Sequence, residues 1–177
     1  MARFEIISPV DGSVFAERNY ATENEIETAL EEAASAFTHW RRTPLSERVA
    51  LCQAVVDYFK THAAAWGEEL SWQMGRPIVY TPNEITGGFV ERAQAMIAMA
   101  EQGLKEIRIP EKNGFTRYIK KEPLGTILVL APWNYPYLTA VNAVIPAILA
   151  GNTVILKFAD QTALCAERFS EAFEASG

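Results

Sequence analysis

The sequence has little of what metal centres and disulfide-stapled domains are built from. Among 177 residues there are two cysteines, Cys52 and Cys165, and two histidines, His39 and His62. Neither cysteine has a neighbouring Cys or His at ligand spacing, so the pattern predicts no metal site and no disulfide framework. Basic charge is scarce too: 16 Lys and Arg stand against 22 Asp and Glu, for a formal net charge of −6. No run of Lys or Arg offers the electrostatic footprint of a nucleic-acid binder, which excludes that class of partner. The first residues, MARFEIISPVDGS, lack the apolar core of a secretory leader. Two isolated thiols without a leader predict a cytoplasmic protein. The rest is ordinary in composition, 49% hydrophobic and 21% charged, as expected of a folded globular domain.

Charge is missing altogether from Leu124 to Leu156. A membrane span needs only about 20 apolar residues, so length alone would permit one. Pro132, Asn134, Pro136, Asn142, Pro146, Gly151 and Asn152 divide the stretch into pieces of strand and helix length. The backbone and amide groups at those breaks would be unpaired in lipid, so the pattern predicts a soluble α/β unit and no membrane partner.

The chain opens on two β-prone pieces, FEII and SVFAERN, joined by Ser8-Pro9-Val10-Asp11-Gly12, which reads as a turn. Thr22 with Glu25 forms the signature of a capping box, and Ile26, Leu30, Ala33, Phe37 and Trp40 continue as a helical apolar stripe expected to pack on one side. Pro44 restarts the chain. Helices are expected over Ser46–His62, with Val49, Cys52, Val55, Val56 and Phe59 facing the core, and over Ala63–Met74, ended by Gly75 and Pro77. A fourth is expected over Asn83–Gln102, with Met96 and Met99 as core filler.

From Leu104 onward the character changes. KEIRIP and FTRYIKKEP flank Asn113-Gly114, which predicts a two-stranded ribbon that docks on another surface, because an isolated ribbon is marginal in water. GTILVLA at Gly125–Ala131 reads as a strand covered on both faces. A turn, a helix over Tyr137–Ala150 bent at Pro146, and a second apolar strand at Thr153–Lys157 complete a βαβ unit. Ligands of such units sit beyond the carboxyl ends of the strands, where Trp133-Asn134 and Lys157–Asp160 fall.

The segment PLGTILVLAPWNYPYLTAVNAVIPAILAGNTVILKFADQT resembles the cofactor-binding segment of the NAD(P)-dependent aldehyde dehydrogenase family, with its PxG start, APWN(F/Y)P turn and AGNxVxxKPxxxT close. Upstream, SPVDGSVFAE, PLSERVALCQAVVDYF and QMGRP are similar to the family's first strand pair, early helix and helix end. The resemblance implies that Asn134 donates its side-chain N–H to the aldehyde oxygen as a cysteine thiolate attacks. It implies that Ala131, Pro132 and Trp133 line the cofactor groove, that Lys157 holds the adenosine ribose and that Asp160 grips its hydroxyls. A carboxylate there should repel a 2′-phosphate, which favours NAD slightly over NADP. Phe158, Met74, Arg76 and Gln73 depart from the family's commoner Pro, Thr, Lys and Glu. QMGRP followed by Ile is similar to succinate-semialdehyde-type members.

The resemblance also implies what else the chain should need. Cys52 and Cys165 sit in predicted helices outside the nucleophile's motif, and His39 and His62 lie far in sequence from Asn134, so an oxyanion donor stands without nucleophile or general base. The expected fold is α/β: N-terminal strand pair and helices over 1–103, a ribbon of the oligomerisation arm over 104–123, and the first βαβ of a Rossmann-like sheet over 124–177. Two strands cannot cover a sheet, and Ile127, Val129, Val154 and Leu156 are expected to be left partly wet. A truncated chain is therefore expected: the N-terminal part of a homo-oligomeric (dimeric or tetrameric) enzyme that oxidises an aldehyde substrate with NAD or NADP, inactive alone. The alternative is a non-catalytic relic that docks on a complete subunit.

Overall fold

The computed structural model describes residues 2–177. Strands β1 (Arg3–Ile7) and β2 (Val14–Asn19) pair antiparallel across the Asp11–Gly12 turn. Helix α1 (Glu23–Trp40) starts as its sequence dictates: the Thr22 hydroxyl accepts from the Glu25 N–H while the Glu25 carboxylate accepts from the Thr22 N–H. Its apolar stripe, however, is not buried. Ala33, Phe37 and Trp40 are half-buried beside the later sheet, whereas Ile26 and Leu30 are exposed.

The two helices expected over Ser46–His62 and Ala63–Met74 are one, α2 (Leu45–Met74). Nothing at the junction breaks it: the Ala63–Ala65 run has the best helix propensity, and the His62 ring bonds back to the Tyr58 carbonyl one turn earlier. Gly75 ends it in the left-handed conformation, at φ 76°, a geometry that glycine adopts without steric cost. The expected helix over Asn83–Gln102 is a continuous helical run in three parts: α3 (Thr81–Asn83), a π-helical turn (Glu84–Phe89) and α4 (Val90–Leu104). The Val90 N–H reaches the Ile85 carbonyl, the i to i−5 spacing that defines the π turn. Met96 packs against the core, but Met99 is exposed and fills nothing.

Strands β3 (Ile107–Lys112) and β4 (Phe115–Ile119) form the ribbon, turning through Asn113 and Gly114 at positive φ. All its residues are exposed, so among the described residues it does not dock. Strands β5 (Thr126–Ala131) and β6 (Thr153–Phe158) run parallel, linked by α5 (Pro136–Leu149); a 3-10 turn (Asp160–Thr162) and α6 (Leu164–Ser176) follow. The Asn152 side chain explains the Gly151-Asn152 pair after α5. Its buried Oδ1 accepts from Leu124 N (2.6 Å) and Gly125 N (3.1 Å), tying the start of β5 to that of β6.

The core lies where α2, the π turn, α4, α5 and α6 meet. Phe59 stacks on Phe89 at 3.9 Å and meets Phe169 edge-on at 4.9 Å, and truncating a ring so buried costs about 3–5 kcal/mol. Strand β5 is covered on one face only. Val129 and Ala131 are buried toward α5, while Leu128 and Leu130 are 62% and 69% exposed. The wet face is thus the one opposite that of Ile127 and Val129, because α5 claims the odd-numbered side chains. Ile127, Val154 and Leu156 are half-buried.

Candidate active site

The β5–β6 register pairs Leu130 with Lys157 and Ala131 with Phe158, so the turn after β5 and the residues after β6 emerge at the same carboxyl end. Ala131 and Phe158 are buried as the last sheet residues; Pro132, Trp133 and Asn134 are exposed just beyond. The Asn134 side-chain amide makes no hydrogen bond among the described residues, which leaves its N–H groups free to donate to a ligand.

The turn is fixed from outside by residues that sequence reasoning did not select. Glu84, in the π turn, is buried, and its Oε1 accepts from Tyr137 N at 2.9 Å and Leu138 N at 3.2 Å, the first free amides of α5. A carboxylate there both satisfies orphan donors and complements the helix dipole. The other carboxylate oxygen pairs with Arg76, whose second arm donates to the Asn134 carbonyl and whose guanidinium lies 4.2 Å over the Tyr135 ring. Burial pushes the Glu84 carboxyl above its usual range, opposed by the Arg76 bond and the two amides. A neighbouring cavity of about 590 Å³ is lined by Arg76, Tyr80, Glu84, Arg92, Tyr135 and Leu138 among others. Gln73 does for α6 what Glu84 does for α5, accepting from Leu164 N at 3.2 Å. The signal in the sequence was a charged residue, Glu84, on what would be the inner face of a helix; the π turn that aims it could not be read from periodicity.

Near the end of β6 the Lys157 ammonium donates to Asp160 Oδ1 at 3.2 Å, and the Tyr20 hydroxyl, just after β2, donates to Asp160 Oδ2 at 2.8 Å. Tyr20 was also not foreseen. The Tyr20 hydroxyl above all holds the Asp160 carboxyl below its ordinary value; desolvation opposes it, and the Lys157 ammonium adds to the lowering. Both Lys157 and Asp160 are accessible, at 61% and 45% side-chain exposure. Each Asp160 oxygen keeps a second lone pair for an incoming hydroxyl.

The remaining polar groups stand elsewhere. Cys52 and Cys165 are fully buried, and burial pushes the Cys52 thiol up to about 12 and Cys165 higher still. Neither can act as a thiolate. Among the described residues no three His, Cys, Asp or Glu side chains form a group able to hold a metal, and no helix is long and apolar enough to cross a membrane.

A parallel strand pair around a crossover helix, with polar side chains gathered at the carboxyl ends, is the opening unit of a parallel α/β sheet, whose ligands sit at that end. The sequence matches the aldehyde dehydrogenase family over residues 1–177, and the chain belongs to that family. It is 32% identical over 162 residues to an aldehyde dehydrogenase of Deinococcus radiodurans, covering 90% of this chain and 31% of the relative. It is 29% identical to the succinate semialdehyde dehydrogenase [NAD(P)+] Sad of Escherichia coli, covering 97% of this chain and 37% of that protein. The structure of an NAD-dependent benzaldehyde dehydrogenase from Corynebacterium glutamicum superposes with a TM-score of 0.90 at 25% identity, over 99% of this chain and 38% of that one. The chain thus spans about a third of the length of the curated relatives it matches.

Proposed function

We propose that these residues work as the N-terminal third of an aldehyde dehydrogenase subunit, which converts an aldehyde, water and NAD(P)+ to a carboxylic acid, NAD(P)H and a proton. The observation that carries this reading is the free Asn134 amide, exposed at the carboxyl end of β5 on a turn whose backbone is held from below. Asn134 donates to the aldehyde oxygen as negative charge develops there, and a preorganised donor of this kind contributes about 3–4 kcal/mol. The nicotinamide, when bound, accepts a hydride from the reacting carbon.

This chain's own residues bind and orient. Pro132 and Trp133, with Ala131 beneath, form one wall of the cofactor groove. Lys157 and Asp160 take the adenosine ribose, Lys157 as donor and Asp160 as acceptor. The lone pairs left on Asp160 fit two ribose hydroxyls, and its charge disfavours a 2′-phosphate, so NAD is slightly preferred. Nucleophile and general base come from outside these residues, so they are inactive alone. The 104–123 ribbon serves as an oligomerisation arm of a cytoplasmic dimer or tetramer: its exposed Ile107, Phe115, Tyr118 and Ile119 need a protein partner. Those apolar side chains, with Leu128 and Leu130, also favour a second reading, a non-catalytic module that docks on a complete subunit.

Turnover of a complete subunit carrying these residues decides between the two, with succinate semialdehyde as the first substrate because of the Escherichia coli relative's name. NAD(P)+-dependent oxidation that falls about 100-fold or more in Asn134→Ala supports the enzyme reading. Absence of turnover, with tight binding of the 177-residue chain to a separate dehydrogenase subunit, supports the second.

A further inference from the structure

We propose that Arg76 is a positioning residue for the Asn134 turn, fixing where the Asn134 amide stands relative to α5; this rests on the reading of Asn134 as the oxyanion donor. The turn has little else to hold it. Pro132, Trp133 and Asn134 are exposed, and no other side chain among the described residues hydrogen-bonds their backbone. Arg76 enters one residue after the left-handed Gly75 cap and is itself mostly covered, at 14% side-chain exposure. Three contacts fix its guanidinium: the Glu84 carboxylate, the Asn134 carbonyl and the face of Tyr135.

The same Glu84 carboxylate accepts from Tyr137 and Leu138. One ion pair therefore grips the segment 134–138 at both ends, its arginine on the last turn residue before Tyr135 and its glutamate on the first amides of the helix. A rotation of the Asn134 peptide would break the Arg76 bond and lift Tyr135 off the guanidinium plane. Only a planar fork can do this. A lysine at 76 keeps the charge opposite Glu84, but it has a single flexible ammonium in place of two parallel arms and no flat face for the ring.

The test is Arg76→Lys beside Glu84→Gln, read by 15N relaxation of the 177-residue chain and by turnover of a complete subunit carrying the same changes. In Arg76→Lys the Tyr137 and Leu138 amides should stay as protected from exchange as in the wild type, since Glu84 still caps them. The backbone order parameter at Asn134 should fall from about 0.85 to below about 0.6, the difference between rigid and flexible backbone. The kcat should drop about tenfold with KM for NAD+ unchanged, a split that general loss of stability would not give. Glu84→Gln keeps a carbonyl oxygen for the two amides but sets an NH2 group against Arg76, so it should loosen Asn134 while leaving Tyr137 and Leu138 protected. An unchanged order parameter at Asn134 in Arg76→Lys overturns the proposal. So does an unchanged kcat in Arg76→Lys when Asn134→Ala in the same subunit loses about 100-fold. Unchanged turnover in Asn134→Ala instead overturns the reading of Asn134, and the order parameter then still decides whether Arg76 positions the turn.

Discussion

The two halves of the candidate site are held in opposite ways. On the Asn134 side, a buried ion pair, Arg76 with Glu84, lies under the turn at 14% and 1% side-chain exposure. On the ribose side, Lys157 and Asp160 form an accessible pair at 61% and 45%, steadied by the Tyr20 hydroxyl. A surface pair of that kind contributes about 0–1 kcal/mol and is easily opened by a ligand. A buried one resists change, because losing one partner strands the other. The difference fits the roles proposed for each half: an amide that stabilises developing charge would have to be in place beforehand, whereas a ribose clamp would exchange its partners each time a cofactor binds.

The largest effect that would break this contrast is on stability. Glu84→Ala should cost about 3–5 kcal/mol by leaving Arg76 unpaired and two α5 amides uncapped, which for a chain of this size lowers the melting temperature by roughly 10 °C. Asp160→Ala should cost less than about 1 kcal/mol. Denaturant unfolding of the two variants checks both; equal losses would erase the distinction between the halves.

A smaller effect sharpens it through pH, with opposite signs. Burial raises the Glu84 carboxyl above its usual 4.5 in the folded protein. The native state then binds that proton more tightly than the unfolded chain, so the contribution is full below 4.5 and is lost as pH rises through the raised folded value. Asp160 is lowered from 3.8, first by Tyr20 and then by Lys157; its contribution is present above 3.8 and is lost as pH falls through the lowered folded value. The melting-temperature gap between wild type and Glu84→Gln should therefore shrink on raising the pH from about 4 to 8. The gap to Asp160→Asn should shrink only on acidification. Gaps that move in the same direction would contradict the assigned causes.

The smallest effect concerns Tyr20. Tyr20→Phe removes one neutral donor to an accessible carboxylate and should leave the melting temperature nearly unchanged, while raising the Asp160 carboxyl toward its ordinary value, as seen by NMR titration.

Much of this arrangement was legible in the sequence because it is local. The Thr22–Glu25 box, the Gly75 cap, the Asn113-Gly114 turn and the two apolar strands each write their geometry within a few residues. So does the clustering of Asn134, Lys157 and Asp160 at one end of the strands. The rest depends on contacts distant in sequence. Glu84 lies 53 positions from Tyr137 and Tyr20 lies 140 from Asp160, and neither pairing leaves a periodic trace. The split of α2 failed for a different reason: its buried residues run from Cys52 to Gln73 without a break, and a stripe that long drifts around the helix and imitates two shorter ones. Ile127, Val154 and Leu156 are partly wet as expected, but Val129 is buried and the most exposed side chains of β5, Leu128 and Leu130, were missed, because a continuous apolar run does not say which alternate residues a crossover helix will claim.

The most direct test follows kcat and the NADP to NAD preference together, in one complete subunit, for Asn134→Ala and Asp160→Ser. Asn134→Ala should lower kcat about 100-fold or more with the cofactor preference unmoved. Asp160→Ser should shift kcat/KM toward NADP by roughly tenfold, about 1.4 kcal/mol, with kcat nearly unchanged. If Asn134→Ala turns over like the wild type, or if Asp160→Ser leaves the preference where it was, the corresponding half of the site does not have the role given to it here.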